Sequence, residues 1–143
     1  MKSFTVASAA LALASGTMAT QQAHFCFQNG QNGYNLTVPA DGTVVTTEIE
    51  VDINIIIIAD FNAHDNCHFT WGGSAANTPP TMEFQVGQNG AQQLVVDPPS
   101  IITSLSCGGT CIPTSAKCYD SQSGQNLGTC CAGYCENDVC KSW

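Results

Sequence analysis

Apolar and polar side chains alternate along residues 45–59, which form the most regular pattern in the chain. The odd-numbered positions are mostly Val or Ile, and the even-numbered positions up to Asn54 are polar. Because successive side chains of a β-strand point to opposite faces, the pattern predicts one strand whose odd positions face a core and whose even positions face water. Ile56 and Ile58 make the even face apolar as well, so we expect the strand to be covered on both sides near its end.

Shorter runs of alternating or β-branched residues predict six further strands, at residues 24–28, 34–38, 67–71, 82–86, 92–96 and 101–105. Asn89-Gly90 supplies the positive φ angles of a tight hairpin between two of them. The paired prolines at 79–80 and 98–99 limit strand ends. Short strands with regular turn signals predict an all-β domain over residues 20–105, a small antiparallel β-sandwich or barrel with almost no helix.

The composition changes at residue 106. Residues 106–143, called the disulfide-rich segment below, hold seven of the nine cysteines but only three aliphatic side chains larger than alanine: Ile112, Leu127 and Val139. A segment this small cannot bury enough apolar surface to fold unaided. We therefore expect disulfides to supply the missing stability.

The N-terminal residues predict export. Residues 1–19 contain one basic residue, Lys2, followed by an apolar stretch and small residues that end at Ala19, as in a secretory signal peptide. Export would place the mature chain, residues 20–143, in a compartment where disulfides persist, so we expect it to be secreted and extracellular. In an exported chain, Asn35-Leu36-Thr37 is an acceptor sequence for N-glycosylation at Asn35.

The charge balance excludes two classes of partner. After removal of residues 1–19, two lysines and no arginine stand against eleven acidic residues, a net charge of −9 with neutral histidines. Nucleic-acid binding needs several Lys or Arg contacts to phosphate, and anionic lipid also attracts basic segments. We therefore expect neither a nucleic-acid partner nor docking on anionic lipid. We also expect no membrane insertion, because the apolar run of residues 53–59 is too short to cross a bilayer.

The last six cysteines follow the spacing C-x6-C-x11-CC-x3-C-x4-C. Spacing alone permits fifteen connectivities. The adjacent pair and the short final loop resemble the inhibitor cystine-knot, or knottin, family. That resemblance implies a pairing of first with fourth, second with fifth and third with sixth, which here means Cys111 with Cys131, Cys118 with Cys135, and Cys130 with Cys140. A zinc site is the competing interpretation, which export disfavours.

Three cysteines remain outside this framework, and they cannot all pair with one another. A bridge between Cys26 and Cys67 across the sandwich is the first choice, because both lie on predicted strands. Cys107 would then be the odd thiol. It could instead pair with Cys26 or Cys67, or form an intermolecular bond.

Neither histidines nor carboxylates form a pattern typical of catalysis. His64 and His68 lie in a predicted loop and strand, where their spacing does not focus two metal ligands. The three carboxylates of residues 48–52 share one solvated strand face, whereas acid/base catalysis needs two environments facing across a cleft. We expect no enzyme activity, catalytic residue, metal or cofactor.

The disulfide-rich segment is therefore the candidate binding surface. In size, compartment and cysteine content the chain resembles the small secreted cysteine-rich proteins of fungi, a group that includes effectors acting on host tissue. By analogy with knottins, the protein would bind an extracellular protein such as a protease, receptor or channel. The expected contact residues are Ile112, Pro113, Lys117, Tyr119, Tyr134 and Trp143. The alternative is a carbohydrate-binding module for chitin or another wall polysaccharide, with sugar rings stacked on Tyr134 and Trp143.

Overall fold

A computed structural model describes residues 20–143, so the predicted signal peptide lies outside the described residues. Within that range the elements are β1 (Gln22–Asn29), β2 (Asn32–Pro39), β3 (Val45–Thr46), β4 (Asp52–Ile58), α1 (Ala63–Asn66), β5 (Cys67–Trp71), a 3₁₀ turn (Gly73–Ala76), β6 (Thr81–Val86), β7 (Gln92–Cys107), β8 (Tyr119–Asp120), β9 (Gln125–Asn126), β10 (Tyr134–Glu136) and β11 (Val139–Lys141). None of the helices described is long and apolar enough to cross a membrane.

Strand β7 organises the fold, because four other strands pair with it in antiparallel register. Its first half joins β4 and β6, and its second half joins β3 and β5. The result is a five-stranded sheet in the order β2-β1-β4-β7-β6 and a three-stranded sheet in the order β3-β7-β5, which share β7. Together they form a nearly closed, barrel-like antiparallel sheet, which confirms the predicted all-β class.

Strand β7 replaces the two separate strands predicted at 92–96 and 101–105. Pro98 and Pro99 do not end it, because they lie where its ladder with β4 is interrupted between Ile53 and Ile55. Proline is tolerated at such irregular positions, since no ladder hydrogen bond needs its missing N–H.

The single strand predicted at 45–59 is also wrong in part. The chain forms β3 and β4 instead, and Glu48 between them has a left-handed backbone with φ 50°. Ile53 is buried as expected, but beyond the register shift Ile56 and Ile58 are the buried residues, whereas Ile57 is partly exposed. A one-residue irregularity moves every later side chain to the opposite face, which explains the exchange.

The core lies between the two sheets. Phe25 on β1 and Phe69 on β5 meet there edge-on, with ring centroids 6.1 Å apart. The largest fully buried side chains include Phe27, Phe61, Ile53, Ile56, Ile58, Leu94, Ile102 and Leu105. Removal of this apolar surface from water is the main stabilising contribution to residues 20–105.

Helix α1 joins the two ends of β7. The buried side chain of Gln92 accepts hydrogen bonds from the backbone N–H groups of Ala63 at 2.9 Å and His64 at 3.2 Å. At the other end, the N–H of Gly108 donates to the carbonyl oxygen of Asn66 at 2.9 Å. Both ends of β7 therefore contact α1. The chain enters the disulfide-rich segment close to the first residue of β7.

Residues 20–107, which carry strands β1 to β7, are called the barrel-like domain below; the domain takes in Ser106 and Cys107, because β7 ends at Cys107. Its disulfide differs from the first choice. Cys67 pairs with Cys107, its register partner on β7, at a Cα–Cα distance of 4.1 Å. Among residues 20–143, Cys26 is the cysteine left as a free thiol. Phe25 and Phe27 on either side of it point into the core, so the side chain of Cys26 points to the outer face and cannot reach Cys67 across the interior.

The exchange of faces in β4 predicts that alanine substitution lowers stability by unequal amounts at two neighbouring isoleucines. Ile56→Ala should lower the free energy of unfolding by about 2–5 kcal/mol, because it empties a fully buried site, and Ile57→Ala should cost clearly less. Chemical denaturation of both variants measures the difference. Equal costs, or a greater cost at Ile57, would contradict the observed register.

Candidate functional site

Three disulfides hold the disulfide-rich segment together: Cys111–Cys131, Cys118–Cys135 and Cys130–Cys140. These are the pairs that the knottin resemblance implies. The sulfur atoms of Cys118, Cys130 and Cys140 all lie within 4.8 Å of one another. All three belong to disulfides and are not thiolates, the form of cysteine that binds metal.

Sulfur forms most of the interior of this segment. Cys118, Cys130 and Cys140 are buried in a small core separate from that of the barrel-like domain, and Ile112 packs against them. Ile112, an expected contact residue, packs against this core and stays partly exposed. Each bridge stabilises by about 2–4 kcal/mol, which offsets the shortage of aliphatic side chains noted in the sequence.

Hydrogen bonds fix the backbone around this core. Strands β10 and β11 form a hairpin closed by Asn137 and Asp138, both with positive φ as in a type I′ turn. Residues 115–118 run beside β11, where Ser115 N–H donates to Cys140 O at 2.7 Å and Cys118 N–H donates to Asp138 O at 2.9 Å. Asn and Asp tolerate this left-handed geometry, a signal that the sequence contained but that our prediction did not use.

Gly133 is required by the same hairpin. Its φ is 116°, and a Cβ atom placed there would lie 1.6 Å from the carbonyl oxygen of Lys141. No side chain fits in that space. The backbone that follows the adjacent cysteines Cys130 and Cys131 can therefore pass close to β11 only because residue 133 is glycine.

Both lysines of the segment are held in ion pairs. Lys117 Nζ lies 2.9 Å from Asp120 Oδ1, and Lys141 Nζ lies 2.6 Å from Glu136 Oε2. Hydrogen bonds from Ser123 and then Lys117 lower the pKa of Asp120 to about 2. Hydrogen bonding and charge from Glu136 raise the pKa of Lys141. Lys117, an expected contact residue, therefore offers a partner little unpaired charge.

Tyr119 and Tyr134 are the exposed aromatic residues held most directly by a disulfide. Tyr119 follows Cys118, and Tyr134 precedes Cys135. These two cysteines form one disulfide with a Cα–Cα distance of 5.9 Å. Since consecutive Cα atoms are 3.8 Å apart, the Cα atoms of the two tyrosines lie within about 14 Å of each other. We call the two exposed side chains together the tyrosine surface, a name that rests on this separation of their backbone positions.

Each tyrosine lines its own hollow. The hollow beside Tyr119 measures about 340 Å³ and is also lined by Asn126, Gly128, Asn137 and Asp138. The hollow beside Tyr134 measures about 390 Å³, and its other lining residues include Thr114, Ser115, Val139 and Lys141. The first hollow combines an aromatic ring with amide and carboxylate groups, and the second is bordered by hydroxyl groups and a paired lysine.

The remaining expected contact residues lie elsewhere. Pro113 is exposed at a turn in which its carbonyl oxygen accepts from the N–H of Ala116 at 3.1 Å. Trp143 packs against Phe84 of β6, with ring centroids 5.0 Å apart, although 40% of its surface is still exposed. The structure thus joins Trp143 to the barrel-like domain instead of placing it beside Tyr134 in the same hollow.

Besides the contact of Trp143 with Phe84, Gln21 also connects the disulfide-rich segment to the barrel-like domain. Gln21 Nε2 lies 3.3 Å from Cys111 Sγ and 3.4 Å from Cys131 Sγ, and Gln21 Oε1 accepts from the N–H of Cys111 at 3.2 Å. The bridge Cys111–Cys131 also belongs to the main core cluster. No motif in the sequence pointed to Gln21 or Phe84, because both act only through residues far away in the chain.

Glu48, Glu50 and His64 lie on other elements than predicted, whereas His68 lies on a strand, as predicted. Glu48 and Glu50 border a hollow of about 460 Å³ with residues 101–103. His64 lies in α1 and its Nδ1 is 2.8 Å from Asp65 Oδ1, which lowers the pKa of Asp65, while His68 lies on β5. Helix and strand place the two histidines on different elements.

Comparisons of the chain with protein families, with curated proteins and with solved structures find no match. Function is therefore inferred from the geometry of the chain itself.

Replacement of Gly133 should damage the disulfide-rich segment selectively. Gly133→Ala is expected to destabilise the hairpin by about 2 kcal/mol or more, because of its positive φ and the backbone clash. The measurement is the fraction of oxidatively refolded protein that carries all three native bridges. Gly108→Ala is the matched control, since a Cβ there meets nothing within 4 Å. Equal yields from the two variants would contradict this role of Gly133.

The carboxyl group of Asp120 should titrate near pH 2. Its pKa is lowered on folding from 3.8, so its stabilising contribution is present above about pH 4 and is lost as the pH falls through about 2. Ser123→Ala should raise this pKa, whereas Ser121→Ala, an exposed neighbour, should leave it unchanged. Carboxyl ¹³C chemical shifts recorded against pH measure both. A titration midpoint near 3.8 in the unsubstituted protein would contradict the hydrogen-bond assignment.

Proposed function

We propose that the protein is an exported, non-enzymatic binding protein that contacts an extracellular protein through the tyrosine surface. The observation that supports this proposal most directly is that Tyr119 and Tyr134 are both exposed and both adjacent to the disulfide Cys118–Cys135. Aromatic side chains are the commonest anchors of protein interfaces. Rings held by a bridged backbone lose little conformational entropy when a partner binds.

The distribution of charge favours the same surface. Residues 20–105 contain eight acidic residues and no lysine or arginine, whereas the disulfide-rich segment contains three acidic residues and two lysines. Both lysines are already paired. The segment is therefore the nearly neutral part of an acidic molecule, and charged residues are depleted at the centres of protein interfaces.

The four disulfides of residues 20–143 fit an extracellular protein. A knottin-type module on a fungal-type secreted protein would place the partner among host proteases, receptors or channels. An effector role is part of this proposal and follows from the resemblance in size, cysteine content and predicted export.

A carbohydrate ligand is the second candidate, and the hollow beside Tyr119 favours it. There an exposed aromatic ring lies close to Asn126, Asn137 and Asp138. Flat rings stack on sugars, and amide and carboxylate groups hydrogen-bond to their hydroxyl groups, so this hollow suits a sugar better than the surroundings of Trp143 do.

Binding assays with the oxidised mature chain, residues 20–143, test the proposal. The chain is immobilised and exposed to a panel of extracellular proteases and receptor ectodomains, and in parallel to insoluble chitin. A protein partner should bind, and Tyr119→Ala with Tyr134→Ala should weaken that binding by about 2 kcal/mol or more, as for interface anchors. Val44→Ala, on a side chain that is 63% exposed in the barrel-like domain, is the matched control.

Four outcomes separate the candidates. Loss of a protein complex in the double tyrosine variant but not in the Val44 variant supports the proposal. Sedimentation with chitin that depends on Tyr119 supports the carbohydrate candidate instead. Protein binding that persists in the double tyrosine variant would contradict the tyrosine surface as the binding site. Binding that persists after the disulfides of the disulfide-rich segment are reduced would contradict it as well.

A further inference from the structure

The outer face of the five-stranded sheet places three unlike groups in one row. Asn35 of β2 is the register partner of Cys26 on β1, and Cys26 is in turn the partner of Ile57 on β4. Side chains of directly paired residues point to the same face of a sheet. The glycosylation acceptor, the free thiol and an outward-pointing isoleucine are therefore neighbours across three strands.

This outer face is more apolar than a fully solvated one. Ile55 and Val95 are register partners, and together with Ile57 they form an aliphatic strip that points away from the core and is only partly exposed. On the side toward β2, the strip is bordered by Cys26. A group that lay over this strip would remove its aliphatic surface from water.

A shallow hollow lies between Asn35 and the thiol. It measures about 230 Å³, and its lining includes Cys26, Gln28, Gly33 and Asn35. A Cβ atom at Gly33 would lie 2.2 Å from the carbonyl oxygen of Phe27, so this position must remain glycine. The hollow is therefore kept free of a side chain by a backbone constraint.

The thiol of Cys26 needs protection in an oxidising compartment. It is partly exposed, and its only hydrogen-bond neighbour among the described side chains is Gln28 Nε2, which donates to Sγ at 3.3 Å. All eight other cysteines of residues 20–143 are bridged. An accessible odd cysteine in an exported protein forms intermolecular disulfides.

We propose that Asn35 carries an N-linked glycan whose first sugar residues occupy this hollow, extend over Cys26 and Ile57, and shield the thiol. The side-chain amide nitrogen of Asn35 forms a bond to C1 of N-acetylglucosamine. The bond from that carbon to a lipid diphosphate carrier breaks, and the carrier leaves with the electron pair while the amide gives up one proton. Thr37, whose side chain lies on the same face, completes the acceptor sequence. The inference depends on export and is independent of the binding function proposed above.

The test uses the full chain secreted from a glycosylating eukaryotic host. Peptide mass spectrometry measures occupancy of Asn35, and the rate of reaction with a maleimide probe measures access to the thiol in the native protein. Thr37→Ala removes the acceptor sequence but keeps Asn35, and should react about tenfold faster than the unsubstituted protein, because thiol reactivity follows exposure. Thr37→Ser keeps the acceptor sequence and should behave like the unsubstituted protein.

Two controls isolate the effect of the glycan's position. Cys26→Ala should show no labelling, which assigns the signal to this thiol. Ala91→Thr combined with Thr37→Ala moves the acceptor sequence to Asn89, in the β6–β7 hairpin, and should leave the labelling fast. If the Thr37→Ala chain is not secreted, enzymatic removal of the glycan from the folded unsubstituted protein provides the same comparison.

Three results would overturn the inference. The first is an unmodified Asn35 in the secreted protein. The second is an equal labelling rate with and without the glycan. The third is an equal degree of protection from a glycan moved to Asn89. Occupied Asn35 with slow labelling that becomes fast only when this glycan is absent supports it.

Discussion

Sulfur–sulfur bonds take the place of aliphatic packing in the C-terminal part of this chain. In residues 106–143, the buried core consists of cysteines with one isoleucine against them. Each loop that a disulfide closes removes conformational freedom from the unfolded chain, and this loss favours a folded backbone that apolar burial could not maintain alone. The type I′ turn at Asn137 and Asp138 and the exposed positions of Tyr119 and Tyr134 depend on that framework.

The barrel-like domain depends on a different kind of constraint. A continuous apolar core between two sheets stabilises it, and β7 couples the sheets because it belongs to both. The two parts of the molecule are joined where their interiors meet. Cys111 and Cys131 belong to the main core cluster, and Trp143 covers Phe84 at the edge of the five-stranded sheet. The disulfide-rich segment is thereby held in a fixed orientation on the domain that precedes it.

Local periodicity was sufficient to predict the all-β class and individual strands such as β5, whose bounds match the predicted 67–71. It failed where the ladder is irregular. The register shift in β4 reverses which isoleucines are buried, and it arises from the pairing with β7, which no local pattern contains. The bridge Cys67–Cys107 was missed as first choice for the same reason, because strand neighbours depend on topology.

The candidate site was predictable in its covalent frame and less so in its surface. The cysteine spacing implied the three bridges of the segment through a family resemblance, and exposure of Tyr119 and Tyr134 follows from the scarcity of core. The partial burial of Ile112 and the packing of Trp143 depend on contacts between residues distant in the chain, so residue type alone could not reveal them. Lys117 pairs with Asp120, three residues along the chain, a local contact that the sequence contained but that our prediction did not use.

Hydrogen exchange before and after reduction under native conditions tests the role of the disulfides most directly. The amides of Cys118, Cys131 and Cys140 donate backbone hydrogen bonds within the disulfide-rich segment. After reduction they should lose their protection, while amides in the core strands β1, β4 and β7 keep theirs. Continued protection of the three cysteine amides once the thiols are free would contradict the account, because the segment would then fold without its disulfides.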